Sequence, residues 1–410
     1  MKKEKISIRR KEISIKLQAS QINSIRVKNI ERNAIRVFRD GKIGISGAVG
    51  TSLAEELTKQ AIDNLSSNIP YPYALESNKK DHRNYTETHY SEFDLMKLTE
   101  RVLDSLNQEF DDFIFSESIK TIEVDNKFEN TEGLDLRYQD EYIELVIVVK
   151  AKSSSNLFDT FIGWEGRNLD LDKFLSFTKK QLQAERNEVD LPNEEKVPVF
   201  FHSPDSLGNF LIKQLNGETY GNKASLFDNK IGEQLFNKKL TVTQNKNPKT
   251  SYSVFFDTEG VTKENDSVTL IENGVLKRVF TDKKNSVKFN LEHTGSATGG
   301  YDDVPALGFA DIQPSVDSTD IQKVLNGKKA IFVMVAAGGE FNADGNYATP
   351  VQASYLFDGK NLLGKIHDFY MSNDIYNMLG KDYIGTFRSE DLYFGEDHYI
   401  FGCYMNIKKW

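Results

Sequence analysis

The sequence has only one cysteine, Cys403, among its 410 residues. A single cysteine cannot form an intramolecular disulfide or a multi-cysteine zinc cluster, so both are excluded. A chain of this size without disulfides is typical of a reducing compartment, and we expect the cytoplasm. No apolar run reaches 18 residues, and the basic residues 1–10 lack the apolar stretch of a secretory signal. The sequence therefore predicts no contact with a membrane.

Positive charge is also scarce, because 52 Lys and Arg residues stand against 61 Asp and Glu residues, which gives a net charge of −9. Each contact with a phosphate needs a cation, so we expect no direct binding to nucleic acid. Residues 2–39 are locally rich in Lys and Arg. These side chains alternate with apolar ones, as on the exposed face of a strand.

Familiar catalytic motifs are missing as well. The common zinc-peptidase helix needs two histidines one turn apart with a glutamate beside the first. No two of the six histidines lie three to five residues apart, so this local motif is excluded. A long-range metal site built from separated histidines and carboxylates stays open. The Gly-x-Ser-x-Gly elbow, the phosphate loop and the dinucleotide fingerprint are absent. Cys403 lies in an apolar segment and is expected to be buried.

The N-terminal half has an α+β pattern of hydrophobic residues. Asp40-Gly41 predicts a hairpin over residues 34–46, because glycine accepts a positive φ. Alternation with a period of two predicts strands over residues 6–17, 21–28, 33–38, 119–124 and 142–149. Helical spacing predicts helices that follow an N-cap at Thr51-Ser52 and that span residues 92–109 and 170–188.

The loop of residues 190–196 contains Pro192 and three acidic residues, and it predicts a domain boundary. The expected domains are residues 1–190 and residues 197–410. Strands are predicted at 197–201, 240–243, 252–256, 268–271, 275–281, 330–336, 351–357 and 399–407. Helices are predicted at 206–215 and 361–372, with a helical turn at 231–236. The fold class is thus α+β, with mixed or antiparallel sheets and flanking helices.

Asp257 and Glu259 are a candidate pair of carboxylates for general acid–base catalysis. Two carboxylates at i and i+2 in a strand face the same way and can share general acid–base work. A polar turn at this place explains the same residues and would separate them. His293 lies in a glycine-rich segment, where a turn residue is more typical than a catalytic base.

Three motifs occur in a fixed order: residues 256–260 (FDTEG), 270–276 (LIENGVL) and 293–297 (HTGSA). Their order and spacing resemble the central signature of the TldD/PmbA family. Residues 36–44 (RVFRDGKIG) and 130–133 (NTEG) are similar to N-terminal segments of the same family. The resemblance extends from about residue 12 to the C-terminus, and it implies the two-domain PmbA/TldD-like fold.

The family has two kinds of member, and the resemblance implies the metal-free kind. TldD members carry a His-Glu-x-x-x-His helix and a later cysteine ligand for zinc. That helix is expected just after residues 197–201, but residues 209–217 contain no metal ligand, and no cysteine lies near residues 385–387. Thr258 and Ser296 replace the acid and the asparagine common in the family, and the chain opens with strands where a helix is usual.

The resemblance therefore implies a TldE/PmbA-like subunit with no catalytic and no metal-binding residue of its own. Zinc is expected in a TldD-like peptidase partner, with which this chain would form a heterodimer and process unfolded peptides. We expect the chain to wall the cleavage chamber and to hold peptide as an added strand along a sheet edge. The candidate residues of the substrate channel are Asp257, Glu259, Gly260, His293, Thr294 and Gly295.

Two alternatives remain open. The family's older label, modulator of DNA gyrase, suggests a non-enzymatic regulator that binds another protein. A stand-alone hydrolase that uses Asp257 and Glu259 is the other alternative. The sequence also leaves open whether the isolated chain forms a homodimer.

Overall fold

The computed structural model describes residues 1–308 and 311–410. Strands dominate the N-terminal half. They are β1 (Lys2–Gln18), β2 (Gln21–Arg39), β3 (Lys42–Val49), β4 (Ile69–Pro70), β5 (Lys79–Asn84), β6 (Phe113–Asn130), β7 (Leu134–Ala151), β8 (Thr160–Gly166) and β9 (Glu188–Val189). The helices of this half are α1 (Ala54–Asp63), α2 (Glu92–Glu109) and α3 (Leu171–Glu185).

The C-terminal half combines short helices with many strands. The strands are β10 (Lys196–Phe201), β11 (Val242–Asn245), β12 (Ser267–Glu272), β13 (Val275–Leu276), β14 (Ala297–Thr298), β15 (Ala306–Leu307), β16 (Ile312–Pro314), β17 (Ala330–Ala336), β18 (Asn346–Phe357), β19 (Leu362–Ile366), β20 (Phe369–Asp374), β21 (Tyr383–Phe387) and β22 (Ile400–Lys409). The helices are α4 (Asp205–Gln214), α5 (Gly217–Gly221), α6 (Lys283–Phe289), α7 (Ile321–Leu325) and α8 (Ile375–Leu379).

The first sheet is built from long hairpins in the order β4-β3-β2-β1-β6-β7-β5, and β8 pairs with the far part of β7. The predicted hairpin turn is confirmed, because Asp40 and Gly41 both have positive φ angles, of 52° and 72°. The separate strands predicted before residue 39 are continuous in the structure. β1 and β2 stay paired over their whole length, so the polar residues between the predicted segments continue the ladder.

Helices α2 and α3 cover one face of the first sheet. α2 has the predicted bounds, and Ser91 and Asp94 form a capping box at its start. Its buried residues pack with Ile15 and Ile119 of the sheet. The cap predicted at Thr51-Ser52 is wrong: α1 begins after Leu53, whose side chain makes no capping hydrogen bond. The packing of Leu57 against Ile35 and Val37 therefore stabilises this helix instead.

The second sheet closes on itself. β17, β10, β22, β20 and β18 form a ring of five paired strands, to which β9, β19 and β21 are appended. Cys403 lies in β22 and is fully buried, as predicted. Most pairs are antiparallel, but β10–β17, β5–β7 and β9–β19 are parallel. The predicted α+β class with mixed, largely antiparallel sheets is confirmed.

Several predictions for the C-terminal half are wrong. Residues 361–372 are not a helix but the two strands β19 and β20. Leu362, Ile366 and Phe369 have helical spacing, yet pairing with β18 satisfies their backbone groups as strands. Residues 231–236 form turns without a helix, 252–256 form no strand, and the strand at 275–281 shrinks to β13. The helix predicted at 206–215 is present as α4, but its N-cap residue Pro204 offers no side-chain acceptor.

Within the described residues, no helix has both the length and the apolar character needed to cross a bilayer. The first sheet ends at Gly166, whereas β9 already pairs with β19 of the second sheet. The division of the chain at residues 190–196 stays a prediction. Buried polar contacts join the first sheet to the loop between β11 and β12, and they lie at the predicted motifs.

Candidate functional site

Asp257 is buried in the loop between β11 and β12, two strands of a third sheet with the order β13-β12-β11-β16. Its Oδ1 accepts hydrogen bonds from the backbone N–H groups of Glu259 and Val261, each at 2.9 Å. Its Oδ2 accepts a third from the N–H of Ala297 at 3.0 Å. Burial raises the pKa of Asp257, while the nearby Lys246 ammonium and these backbone donors oppose the rise. The carboxylate therefore holds the turn in shape and has little capacity left for other partners.

Glu259 connects this turn to the first sheet. Its Oε1 accepts a hydrogen bond from the Tyr71 hydroxyl at 2.8 Å, and its Oε2 accepts one from the N–H of Lys283 at 3.1 Å. The Nε2 atom of His293 lies 3.8 Å from the same Oε2. Burial and the neighbouring Glu259 charge raise the pKa of Tyr71, so this hydroxyl stays a donor. The contact therefore joins residues that are far apart in the sequence.

Arg36 of β2 makes the second connection between the first sheet and this loop. This guanidinium is fully buried and donates to the carbonyl oxygens of Thr258 and Asp303. Its Nη1 lies 3.6 Å from Oε2 of Glu4, which is also buried. Burial raises the pKa of Glu4 to about 7, although the Arg36 charge acts in the opposite direction. Glu4, Arg36, Tyr71, Asp257, Glu259 and His293 are called the central polar cluster below.

The remaining predicted residues shape the turns of this cluster. Gly260 has a φ of +73°, and a Cβ there would lie 2.7 Å from the Leu134 side chain of the first sheet. Gly295 has a φ of +70°, and its carbonyl oxygen accepts a hydrogen bond from the Lys246 ammonium at 2.8 Å. The Thr294 hydroxyl bonds to the backbone of Thr281. The structure thus brings all six predicted residues together, and their role in a substrate channel stays a prediction.

Two groups of side chains have the donor types for a metal ion. Oxygen and nitrogen donors of Asp257, Glu259 and His293 lie within 4.8 Å of one another. A cation there would compete with the hydrogen bonds that already occupy both carboxylates. The second group is His89, Glu123 and Glu141 on the first sheet. There, Glu141 already bonds the N–H of Tyr90 and Nδ1 of His89, at 3.0 and 2.7 Å.

Helix α4 occupies the position where the resemblance places a zinc helix. Its ten residues, Asp205–Gln214, include no His, Cys or Glu. Asp205 is its one carboxylate, and it accepts a hydrogen bond from the Ser203 hydroxyl. Tetrahedral zinc sites need three or four nitrogen, sulfur or carboxylate ligands that converge on one point. The side chains of α4 therefore do not fit a zinc ion.

A cleft that the sequence did not predict lies beside α4. It has a volume of about 460 Å3 and is lined from both halves of the chain. We call it the histidine cleft, because the rings of His202 and His398 stack inside its wall with centroids 4.5 Å apart. Its other principal lining residues are Glu144, Phe161, Trp164, Tyr252, Asp311, Phe394, Asp397 and Tyr399.

The polar atoms of the histidine cleft are poorly matched. Within the described residues, Nδ1 of His202, Nε2 of His398 and the Tyr252 hydroxyl are buried and have no hydrogen-bond partner. Burial lowers the pKa of His398 to about 4 and that of His202 well below its ordinary value, so both rings are neutral at pH 7. Groups of this kind gain free energy when a ligand supplies the missing partners.

A second cavity of about 480 Å3 continues from the histidine cleft. The two share Phe161, His202, Ser203 and Pro204, and the second one extends past the first turn of α4 to Tyr347. Pro204, the N-cap residue of α4, therefore lines both cavities, and the first turn of α4 lines the second. Sequence reasoning missed this site because its residues come from segments more than 250 positions apart, from Glu144 to Tyr399. The one available signal was His202, a polar residue directly after the apolar strand β10.

The fold defines the class of the protein. The crystal structure of TldE from Thermococcus kodakarensis matches this chain with a TM-score of 0.80 and a sequence identity of 18%. The match covers 100% of this chain and 96% of that TldE chain. At this identity the likeness shows the fold alone, which is the α+β fold of TldE. A model of the PmbA/TldA metallopeptidase C-terminal domain matches residues 194–408, more than half of the chain. The chain belongs to the PmbA/TldD family, as its motifs predicted.

Two relatives are similar in sequence. An uncharacterized protein of Methanocaldococcus jannaschii is 23% identical over 369 residues, which are 86% of this chain and 84% of that protein. A zinc metalloprotease TldD homolog of Saccharolobus solfataricus is 22% identical over 237 residues, which are 55% of this chain and 51% of that protein. The family is thus metallopeptidase-like, and it includes relatives named for zinc.

Proposed function

We propose that this chain is a non-catalytic, TldE/PmbA-like subunit of a cytoplasmic TldD–TldE zinc metallopeptidase complex. One observation carries the proposal. Helix α4 begins after Pro204, which lines two adjacent cavities, at the position where the resemblance places the zinc helix of a TldD member, and it offers no set of zinc ligands. The zinc ion and the activated water would then come from a TldD-like partner subunit.

The contribution of this chain is to hold an unfolded peptide. The histidine cleft has aromatic walls and unmatched polar atoms, and a peptide offers both side-chain carbons and backbone N–H and C=O groups. Main-chain hydrogen bonds of this type tolerate many sequences, which suits a peptidase that processes unfolded chains. The complex would be a heterodimer in which this cleft forms part of the wall around the substrate.

The alternative of a stand-alone hydrolase receives less support from the geometry. A nucleophilic or general-base carboxylate must present a free oxygen to the reacting atoms. Both oxygens of Asp257 are engaged by backbone N–H groups, and both oxygens of Glu259 accept hydrogen bonds. These carboxylates therefore stabilise the loop between β11 and β12 and its contact with Tyr71.

Reconstitution tests the proposal. The isolated chain, with added zinc, is expected to leave unfolded casein intact, whereas a mixture with a TldD-like subunit from the same genome is expected to cleave it. The matched control is a TldD-like subunit whose zinc-helix glutamate is changed to glutamine, which should bind this chain without cleaving. Casein cleavage by the isolated chain, abolished by a chelator, would refute the proposal. Equal cleavage by the TldD-like subunit with and without this chain would also refute it.

A further inference from the structure

Strand β2 has a long edge that pairs with no strand in the part of the chain that the structure describes. β3 pairs only with Arg32–Arg39 of β2, so residues 22–30 pair with β1 on one side and, within the described residues, with no strand on the other. The carbonyl oxygen of Glu31 is the last group on this edge with a partner, and it accepts a hydrogen bond from the N–H of Gly50 at 2.8 Å. The outward N–H and C=O groups of the next nine residues are therefore open to pairing with another chain.

The course of the chain leaves room for a strand at this edge. β3 runs antiparallel to β2 and ends at Val49, opposite Arg32. Gly50 then takes a φ of +85° and directs the chain toward α1. An added strand in line with β3 would cover the free segment of β2, about 30 Å at 3.3 Å per residue. The slot thus has the length of an ordinary strand.

Apolar side chains along this edge are uncovered. Ile25 and Val27 are 38% and 45% exposed, although they lie opposite the buried residues Ile15 and Ile13 of β1 and face the same way. Val49 and Leu53 are 65% and 71% exposed where the slot begins. Exposed apolar residues along a free strand edge are unusual in a protein that works alone.

The opposite face of the same edge is basic. Arg26 and Lys28 alternate with the apolar residues, and on that face Lys16 lies opposite Ser24 and Glu12 lies opposite Lys28, so three cations stand against one acid. Residues 2–39 contain twelve Lys or Arg and three Glu, whereas the whole chain has a net charge of −9. Pairing of β2 with β2 of a second copy would bring Arg26 and Lys28 of both copies together, and like charges across strands are destabilising. An acidic strand would meet opposite charges instead.

We propose that the free edge of β2 is a docking site for an extended acidic segment of another protein. The segment pairs with residues 22–30 as an added antiparallel strand. Its apolar side chains cover Ile25 and Val27, and its Asp and Glu side chains face Lys16, Arg26 and Lys28. This interaction goes beyond the proposed peptidase role and does not depend on it.

The test uses a fluorescent ten-residue peptide in which Val or Ile alternates with Asp or Glu. Fluorescence anisotropy is expected to show binding that weakens with added salt, because surface charges are screened. A peptide with Lys in place of the acids, and an acidic peptide with N-methylated alternate amides, are expected to bind at least tenfold more weakly. Hydrogen exchange should slow in residues 22–30 when the acidic peptide is added.

The variant R26E/K28E is expected to lose at least tenfold in affinity for the acidic peptide and to prefer the Lys peptide. The matched control is K323E/K328E, which changes two exposed lysines at and just beyond α7 and should bind like the wild-type chain. Equal binding of acidic and Lys peptides would overturn the proposal, as would no binding of the acidic peptide at millimolar concentration. A homodimer whose residues 22–30 are already protected from exchange would overturn it too.

Discussion

The carboxylates of the central polar cluster and the polar groups of the histidine cleft are in different states. In the central polar cluster, Asp257 and Glu259 accept five hydrogen bonds between them, although Nε of Arg36 and Nε2 of His293 have no partner within the described residues. In the histidine cleft, His202, His398 and Tyr252 each bury a polar atom that has no partner within the same residues. Satisfied carboxylates stabilise the fold, whereas unsatisfied groups around a cavity have binding capacity left for a ligand. The difference assigns structure to the carboxylates of the first region and recognition to the second region.

The two regions also differ in the sign of their coupling to pH. Glu4 has its pKa raised to about 7, so the folded protein favours its protonated form. His398 has its pKa lowered to about 4, so the folded protein favours its neutral form. Burial causes both shifts, because each group loses water around its charged form. Variants in the two regions should therefore respond differently.

The largest effect is expected for Arg36→Leu. This change leaves Glu4 buried without its counter-charge and removes the donors to the carbonyls of Thr258 and Asp303. The free energy of unfolding is expected to fall by about 3–5 kcal/mol, measured by urea denaturation. Adding Glu4→Gln should recover part of the loss, since the uncompensated charge is gone. If the stability losses of the two single variants simply add in the double variant, the pairing of Arg36 with Glu4 is contradicted.

A loss of about 2–3 kcal/mol is expected for Asp257→Asn, because one amide oxygen cannot replace two carboxylate oxygens that accept three N–H groups. Thermal unfolding measures this loss. Proteolysis by the reconstituted complex should keep its rate per folded molecule. A stable Asn variant without activity would favour a chemical role for Asp257 instead.

Opposite pH dependences are expected for Glu4→Gln and His398→Phe. The stabilising effect of the raised pKa of Glu4 is present below pH 4.5 and is lost as the pH rises through about 7. The effect of the lowered pKa of His398 is present above pH 6.5 and is lost as the pH falls through about 4. Melting temperatures are to be measured from pH 4 to 8. Relative to the wild-type chain, the melting temperature of the Gln variant should rise most above pH 7, and that of the Phe variant should rise most below pH 5. The same pH response in both variants would contradict the assignment.

The smallest effect on stability is expected for Tyr252→Phe, which removes a hydroxyl without a partner and should change the free energy of unfolding by less than about 1 kcal/mol. The matched variant Tyr71→Phe removes the donor to Glu259 and should cost about 1–2 kcal/mol. In the reconstituted complex, peptide cleavage should fall about fivefold for Tyr252→Phe and stay unchanged for Tyr71→Phe. The reverse pattern would assign peptide recognition to the central polar cluster and a structural role to the histidine cleft.

Local chemistry made part of the fold predictable. The hairpin at Asp40-Gly41 follows from two residues that accept positive φ, and α2 follows from its capping box and apolar spacing. The helix predicted at 361–372 failed because helical spacing in a short segment cannot reveal pairing with β18. Tertiary contacts decide such segments.

The motifs made the central polar cluster predictable as a unit, since residues 256–260 and 293–297 lie in short, recognisable turns. Arg36, Tyr71 and Glu4 could not be added to it, because only the docking of the β11–β12 loop on the first sheet brings them there. The histidine cleft was missed for a similar reason. His202 and His398 are separated by almost the whole C-terminal half and meet because β10 pairs with β22.

Zinc stoichiometry in the purified chain tests the central claim most directly. After expression with zinc in excess and gel filtration, mass spectrometry of metals is expected to find far less than one zinc per chain, with no change in melting temperature after chelation. A TldD-like subunit handled in parallel should retain its zinc. One firmly held zinc per copy of this chain, liganded by its own side chains and lost together with peptidase activity, would contradict the proposed function.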